Sequence, residues 1–179
     1  MVKKNNLEIF DEKQPPEEFA KIFNELASIG IKCHYGEWLI KGKPIAILLD
    51  VSDFSKKTND YKKFYWDYFK IDSLNAGWTF EEPMLWSTAA GILIEKYALQ
   101  NNNRDNENQD NKNNNQEKKI VVHCHEWMAG FALLYLKNTN ADVATVFTTH
   151  ATMLGRTLCA VGRKLYEELN NLNPYDEAY

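Results

Sequence analysis

Apolar residues recur with the period of a helix near the start of the chain. Within 17–29 they occupy one helical face, at Phe19, Ile22, Phe23, Leu26 and Ile29. This spacing predicts an amphipathic helix, and Gly30 is a typical stop signal behind it. The mostly polar residues 1–16 are predicted to form a polar leading segment that ends at Pro15-Pro16. An aromatic-rich stretch at 59–70 predicts a second helix. Its aromatic side chains are expected to pack in the core rather than to stack on sugars; they are Phe64, Tyr65, Trp66, Tyr68 and Phe69.

A longer apolar stripe ends at Leu99. Near its start, Thr79 is followed three residues later by Glu82, which is the sequence signature of a capping box, and Pro83 is tolerated in a first helical turn. These signals predict a helix capped by Thr79. Asparagine then dominates 101–116. A segment of this composition cannot bury enough apolar area to offset the entropy lost on ordering, so it is predicted to be a disordered insertion.

The remaining apolar runs predict strands. The stretches IKCHYGEWLI and PIAILLDVS predict two strands of a β-hairpin, joined by a turn at 41–44. After the asparagine-rich segment, the pattern predicts a strand at 118–125, a helix at 126–138 and a strand at 141–151. A helix that connects two apolar strands makes a βαβ unit, whose strands are parallel. With a last helix predicted around 153–171, the chain is expected to have an α/β fold with a parallel sheet and flanking helices.

Composition and charge narrow the class of protein. The 179 residues suffice for one buried domain, and their net charge of -4, without a cluster of Lys or Arg, argues against a nucleic-acid partner. No apolar run approaches the ~18–20 residues of a membrane span, and the N-terminus lacks the apolar core of a signal peptide. Three cysteines form no C-x-x-C pair, at Cys33, Cys124 and Cys159. They are interpreted as free thiols of a cytoplasmic protein.

Two histidines mark the points where the strands of the βαβ unit end. His125 closes the first strand and His150 the second. Because ligands bind beyond the carboxyl ends of parallel strands, both imidazoles are expected at one sheet edge, beside two helix N-termini. Helix N-termini suit phosphate groups and sugar hydroxyls. Arg156 follows closely and could bind a diphosphate through two guanidinium N–H groups. The sequence therefore predicts a binding edge.

Other interpretations of these residues remain open on the residues alone. A histidine at a strand end is often a structural residue whose hydrogen bonds are satisfied. Zinc could also be held by His123, His125, His150 and a thiol, although Cys124 alternates to the opposite face of the strand. Glu126 is interpreted as a favourable charge at a helix N-terminus, with a general base as the alternative. The absence of a G-x-S-x-G sequence argues against Ser/His/Asp hydrolysis.

A long match to a known family spans both strand ends. The stretch HCHEWMAGFALLYLK, followed by VATVFTTHATMLGRTLCA, closely resembles the glycogen synthases of the animal, fungal and Bacteroidetes type. That family has H-x-H-E-W-x-A-G, a crossover helix and then F-T-T-H-A-T-x-L-G-R. A second stretch, CHYGEWLIKGKPIAILLDV, is similar to F-G-x-W-L-I and the following strand of the same family. The resemblance covers most of 30–160, and the asparagine-rich insertion departs from it.

The resemblance implies a retaining glucosyltransferase of the GT-B architecture, in which two Rossmann-like domains face each other. Such an enzyme transfers glucose from UDP-glucose to the 4-hydroxyl at a non-reducing end of glycogen and forms α-1,4 links. It uses neither a metal ion nor another cofactor. By this likeness His125 falls on the catalytic histidine, and His150 and Arg156 fall on residues that bind UDP-glucose. Neighbouring positions of the same signature are implied as supporting residues, at Glu126, Trp127 and Thr149.

Two parts of the family pattern have no counterpart in this chain. One is the glycine-rich K-x-G-G-I loop, and the other is the second domain with its glutamate pair. We therefore expect 1–179 to be part of an N-terminal Rossmann-like domain, inactive by itself and homo-oligomeric in the full protein. The alternatives are a non-catalytic half-enzyme that binds glycogen or a synthase, and a phosphate-binding protein of another doubly wound family. The sequence leaves open whether the donor is UDP-glucose or ADP-glucose.

Overall fold

The computed structural model describes residues 9–107 and 119–173. The first half of this part contains β1 (Phe10–Glu12), α1 (Glu17–Ser28), β2 (Lys32–Trp38), β3 (Ile45–Asp50), α2 (Thr58–Phe69) and α3 (Trp78–Glu107). The second half contains β4 (Val121–His125), α4 (Glu126–Asn138), β5 (Ala144–Thr148), α5 (Met153–Ala160) and α6 (Leu165–Glu168). Short 3-10 helices occupy Phe54–Lys57 and Leu169–Asn171.

The N-terminal strands form an antiparallel sheet in the order β1-β2-β3. β2 and β3 make the predicted hairpin. β1 pairs with β2, and the polar pattern of 1–16 did not predict this strand. A strand of three residues is too short to show the alternation by which strands are recognised. Its close approach depends on Gly36, where a Cβ would collide with the carbonyl oxygen of Asp11.

The predicted helices α1 and α2 are both present. α1 ends as expected before Gly30, whose φ of +93° is a left-handed conformation that glycine adopts without strain. In α2, Tyr65 is fully buried. Trp66 and Tyr68 are 39% and 65% exposed, so the prediction that all five aromatic residues lie in the core is wrong for these two. They lie on the outer face of a helix that buries only one side.

The helix α3 differs from its prediction at both ends. It begins at Trp78, and the carbonyl of Gly77 accepts the N–H groups of Phe80 and Glu81, so the predicted N-cap at Thr79 is wrong. At the other end the helix continues through 101–107, the first part of the predicted disordered insertion. Asn101 is still buried there, and an established helix gains one hydrogen bond for each residue added. The prediction for 108–116 lies outside the described residues.

Close packing of α3 against α4 organises the core. At Gly91 the helices approach so closely that a Cβ would lie 3.2 Å from the carbonyl oxygen of Ala132. The hydroxyl of the buried Tyr65 lies 2.7 Å from that of Thr88 in α3 and 3.1 Å from the carbonyl oxygen of Phe131 in α4. These bonds satisfy a polar group that would otherwise be costly to bury. The same packing fixes α4 relative to the rest of the protein.

The predicted βαβ unit is confirmed. β4 and β5 are parallel, with Val121 opposite Ala144 and His125 opposite Thr148. α4 covers the face that carries Val122 and Cys124, which are both buried. The other side of this pair of strands is here called the open face, and its exposed residues are Val121, His123 and His125 on β4, and Ala144 and Val146 on β5. On β5 the exposure does not alternate, because Thr145 and Phe147 on the α4 side are exposed as well.

The predicted single helix over 153–171 is wrong, because the chain forms α5 and α6 with a turn between them. Gly162 has a φ of +74°, its N–H donates to the carbonyl of Cys159, and the N–H of Arg163 donates to the carbonyl of Leu158. This pattern ends a helix with a left-handed glycine. In the described part of the chain, the parallel sheet comprises two strands and the fold is mixed α/β. No helix there is long and apolar enough to span a bilayer.

Candidate functional site

The ends of β4 and β5 bring two histidines into direct contact. Nδ1 of His125 lies 2.9 Å from Nε2 of His150. The rings are stacked, with planes 5° apart and centroids 5.2 Å apart. This hydrogen bond needs an N–H on one ring and a lone pair on the other, so at least one imidazole in it is neutral. The predicted proximity of the two residues is confirmed, and their roles stay predictions.

His123 extends this pair into a row of three imidazoles. Its Nε2 lies 2.8 Å from the hydroxyl oxygen of Thr148, and its ring centroid lies 4.1 Å from that of His125. The two share the open face because residues two apart on a strand point to the same side. All three histidines are exposed. A ligand can therefore reach the row from the open face.

Glu126 connects the end of β4 to the end of β5. It is the first residue of α4 and has a φ of +64°, the left-handed region in which a residue with a Cβ is strained. Its Oε1 accepts the backbone N–H of His150 at 2.7 Å, and its Oε2 lies 3.4 Å from the hydroxyl of Thr149. Two of the three supporting residues implied by the resemblance, Glu126 and Thr149, thus contact each other. Trp127, the third, is half-exposed in the first turn of α4.

The N-terminus of α5 lies just beyond His150. Thr152 caps it, because its hydroxyl oxygen accepts the N–H of Gly155 at 3.0 Å. This is the favoured N-cap arrangement, with an extended backbone at the capping residue. Arg156 is exposed one turn into the helix. Among the described residues, its side chain makes no hydrogen bond to His125 or His150. The structure thus brings the two histidines together and places Arg156 on the helix that follows them.

The first turns of α4 are fixed from behind by Ser87. Its hydroxyl donates to the carbonyl of Ala129 at 2.7 Å and accepts the N–H of Ala132 at 2.8 Å. Ser87 is fully buried and was not among the residues predicted from the sequence. The available signal was a Ser-Thr pair within the apolar stripe of α3, because a buried hydroxyl needs a partner.

The zinc alternative is not supported by the geometry. No group of three or more His, Cys, Asp and Glu side chains in residues 9–107 and 119–173 is arranged to hold a metal ion. Cys124 lies under α4, on the side away from His123 and His125. Burial also raises the pKa of its thiol, which disfavours the thiolate that a metal would bind.

Comparison with known families identifies the family of this chain. The sequence profile of the glycogen synthase family matches residues 2–179. The chain belongs to the glycogen synthase family. The resemblance noted at the strand ends is thereby confirmed.

Individual relatives match over most of this chain. Glycogen [starch] synthase of Caenorhabditis elegans is 33% identical over 82% of the chain, and the match covers 20% of that protein. The Dictyostelium discoideum protein of the same name is 31% identical over 88% of the chain and 16% of its own length. Isoform 2 of Saccharomyces cerevisiae is 34% identical over 88% of the chain and 21% of its own length. The chain thus spans about a fifth of the length of these relatives.

Proposed function

We propose that this chain forms the donor-binding edge of a retaining glucosyltransferase that extends glycogen with α-1,4 links. UDP-glucose is the proposed donor, and the 4-hydroxyl at a non-reducing end of glycogen is the proposed acceptor. The observation that carries the proposal is the hydrogen-bonded pair His125 and His150 at the carboxyl ends of β4 and β5. It lies within a chain of the glycogen synthase family. Ligands of open α/β sheets bind at such edges.

The proposed roles follow from the chemistry of each group. The N-termini of α4 and α5 offer partial positive charge, and Arg156 adds a full one, so this edge suits the diphosphate of a sugar nucleotide. Negative charge grows on the diphosphate as its bond to glucose breaks, and cationic groups stabilise that change. His125 uses Nδ1 toward His150. Its Nε2, which bonds no other described residue, is proposed to contact the sugar as the catalytic histidine.

The wider architecture is part of the same proposal. A βαβ unit is the repeating element of a Rossmann-like sheet, and we propose that 1–179 is part of the N-terminal domain of a cytoplasmic GT-B enzyme. Because the chain matches about a fifth of its relatives' length, other segments would complete the cleft and bind the acceptor. Homo-oligomerisation of the complete protein belongs to the proposal as well.

Titration of the ¹⁵N-labelled chain with UDP-glucose, followed by NMR, tests the donor site. We expect chemical shift changes confined to 123–127 and 148–156, with a weak, millimolar dissociation constant because only one side of a cleft is present. His150→Ala should remove most of these changes and leave the thermal midpoint within a few degrees of the parent. His34→Ala is the matched control, because it changes an imidazole on β2.

Two outcomes would contradict the proposal. The first is the absence of any chemical shift change when UDP-glucose is present at millimolar concentration and in 20-fold molar excess over the chain. The second is shift changes that centre on β1 and β2 instead. A chain that binds glycogen but not UDP-glucose would favour the alternative of a non-catalytic half-enzyme.

A further inference from the structure

We propose that Glu126 is a positioning residue whose carboxylate holds His150 against His125. This inference rests on the proposed function, because it assigns the histidine pair to the donor site. It adds a role for a residue that sequence considerations treat as a charge at a helix N-terminus. The role is mechanical: Glu126 determines where the end of β5 lies relative to the end of β4.

The first observation is the contact itself. Oε1 of Glu126 accepts the backbone N–H of His150 at 2.7 Å. His150 lies beyond the last residue of β5, so its N–H has no strand partner in the described ladder, which ends at the pair His125 and Thr148. The carboxylate replaces the missing strand acceptor. A carboxylate is also a stronger acceptor than a carbonyl.

The second observation is that His150 is held at two points by consecutive residues. Its ring bonds to the ring of His125, and its backbone N–H bonds to the side chain of Glu126. All three residues are accessible to water, and a single exposed hydrogen bond between two imidazoles competes with water. Because the backbone of His150 is already held by Glu126, fewer motions of His150 remain for its hydrogen bond with His125 to restrict. The pair therefore depends on Glu126 for its geometry.

The third observation is the backbone at residue 126. Its φ of +64° is uncommon for a residue with a Cβ, and Glu is not among the residues enriched there. Such a conformation persists only where surrounding contacts enforce it, and it clusters at functional sites. The preceding residue, His125 at the end of β4, has an extended backbone, so the chain turns sharply from strand to helix at Glu126. A favourable charge for the helix would not require this conformation.

Three substitutions in the 179-residue chain distinguish a positioning role of Glu126 from the role of a favourable charge at the helix N-terminus. Glu126→Gln keeps an oxygen that accepts the N–H of His150 but removes the charge. Glu126→Ala removes the acceptor, and Glu126→Gly removes it while also relieving the strain at positive φ. Glu167→Ala is the matched control, because it removes an exposed carboxylate from α6. A long-range ¹H–¹⁵N spectrum of the imidazole nitrogens reports the bond between His125 and His150 directly.

We expect the Ala and Gly variants to lose the nitrogen shifts of the paired rings and to bind UDP-glucose about tenfold more weakly, the effect of one ordinary hydrogen bond. The Gln variant should keep the paired shifts and bind within about threefold of the parent. The Gly variant should melt no lower than the Ala variant, because it carries no strain from a Cβ. The control should resemble the parent in all three measurements.

Each other outcome has a definite meaning. Unchanged imidazole shifts in both the Ala and Gly variants would overturn the positioning role, even if the parent binds the donor. Loss of the folded spectrum in both, with a folded Gln variant, would overturn it in favour of a structural role. Equal losses of the paired imidazole shifts and of affinity in the Gln, Ala and Gly variants would assign the effect to the charge of Glu126 and not to its hydrogen bond. If the parent fails to bind UDP-glucose, the proposed function fails, and the imidazole shifts still decide the role of Glu126.

Discussion

At the scale of single residues, neighbours in sequence take different tasks at the proposed site. His125 offers its ring to His150, Glu126 offers its carboxylate to the same residue, and Cys124 turns into the core under α4. A strand alternates its side chains between two faces, so a catalytic and a packing residue can be adjacent. Because α4 begins directly after β4, the side chain of Glu126 leaves the backbone in a third direction.

Arg156 is expected to contribute to donor binding through its fork of N–H groups. Replacement by Ala should raise the dissociation constant for UDP-glucose about 10–100-fold, since hydrogen bonds to charged groups contribute roughly 1.5–3 kcal/mol. Arg156→Lys should recover only part of the loss, because a point charge lacks the planar fork. NMR titration with UDP-glucose and thermal melts of each variant measure this, with Lys164→Ala as control. Normal binding by Arg156→Ala would remove the residue from the site.

The three free cysteines are expected to differ strongly in reactivity. Burial raises the pKa of Cys33 to about 12 and also raises that of Cys124, whereas Cys159 is exposed. The thiolate is the reactive form, so alkylation at pH 8 should modify Cys159 first. The rate at Cys33 should be lower by a factor on the order of a hundred or more. The rate at Cys33 should rise as pH approaches its pKa. Mass spectrometry of chain treated with iodoacetamide checks this, and similar rates for all three would contradict it. In urea the differences should vanish.

At the scale of elements, the site depends on how firmly α3 holds α4. Ser87→Ala removes the hydroxyl that bonds the carbonyl of Ala129 and the N–H of Ala132. We expect the free energy of unfolding to fall by about 1–3 kcal/mol, because the substitution removes two buried hydrogen bonds and leaves a small void. Chemical denaturation measures it. Ser55→Ala is a fair control, since that hydroxyl, in a 3-10 helix, makes an exposed hydrogen bond to the carbonyl of Ser52. A loss no larger than that of the control would contradict this role.

Elements with strong periodicity were predictable from the sequence, and local exceptions were not. The bounds of α4 coincide with the predicted 126–138 because an apolar run, a strand end and a charged residue all indicate the same start. β1 was missed because Phe10–Glu12 gains its structure only from pairing with β2. The break at Gly162 was missed, because the prediction ran one helix through this position to residue 171. The left-handed backbone at Glu126 had no signal, because it depends on a contact with a residue far along the chain.

At the scale of the whole molecule, the parallel pair of strands is only partly covered, because α4 buries one face of β4 whereas β5 is exposed on both faces. On its open face Val121 is 62% exposed and Val146 is 44% exposed. Parallel strands are normally covered on both faces, and large exposed apolar patches mark surfaces that bind other molecules. The isolated chain is therefore expected to bind an apolar dye such as ANS. Replacing both valines by Thr should reduce dye fluorescence at least twofold more than Ile45→Thr, which changes an exposed residue of β3. Equal dye binding would contradict the assignment.

The same openness leads us to expect no glucosyl transfer by the 179-residue chain alone. His123, His125 and His150 are all exposed to water. Stabilisation of a developing charge needs fixed groups around it and exclusion of water, and correct placement of donor and acceptor contributes as much again. An assay with radiolabelled UDP-glucose and glycogen, run beside an active synthase of the same family, measures transfer directly. Sustained turnover by the chain would show that one side of the cleft suffices. Donor binding without turnover, weakened by His150→Ala, would agree with a chain that supplies the donor edge and depends on other segments for catalysis.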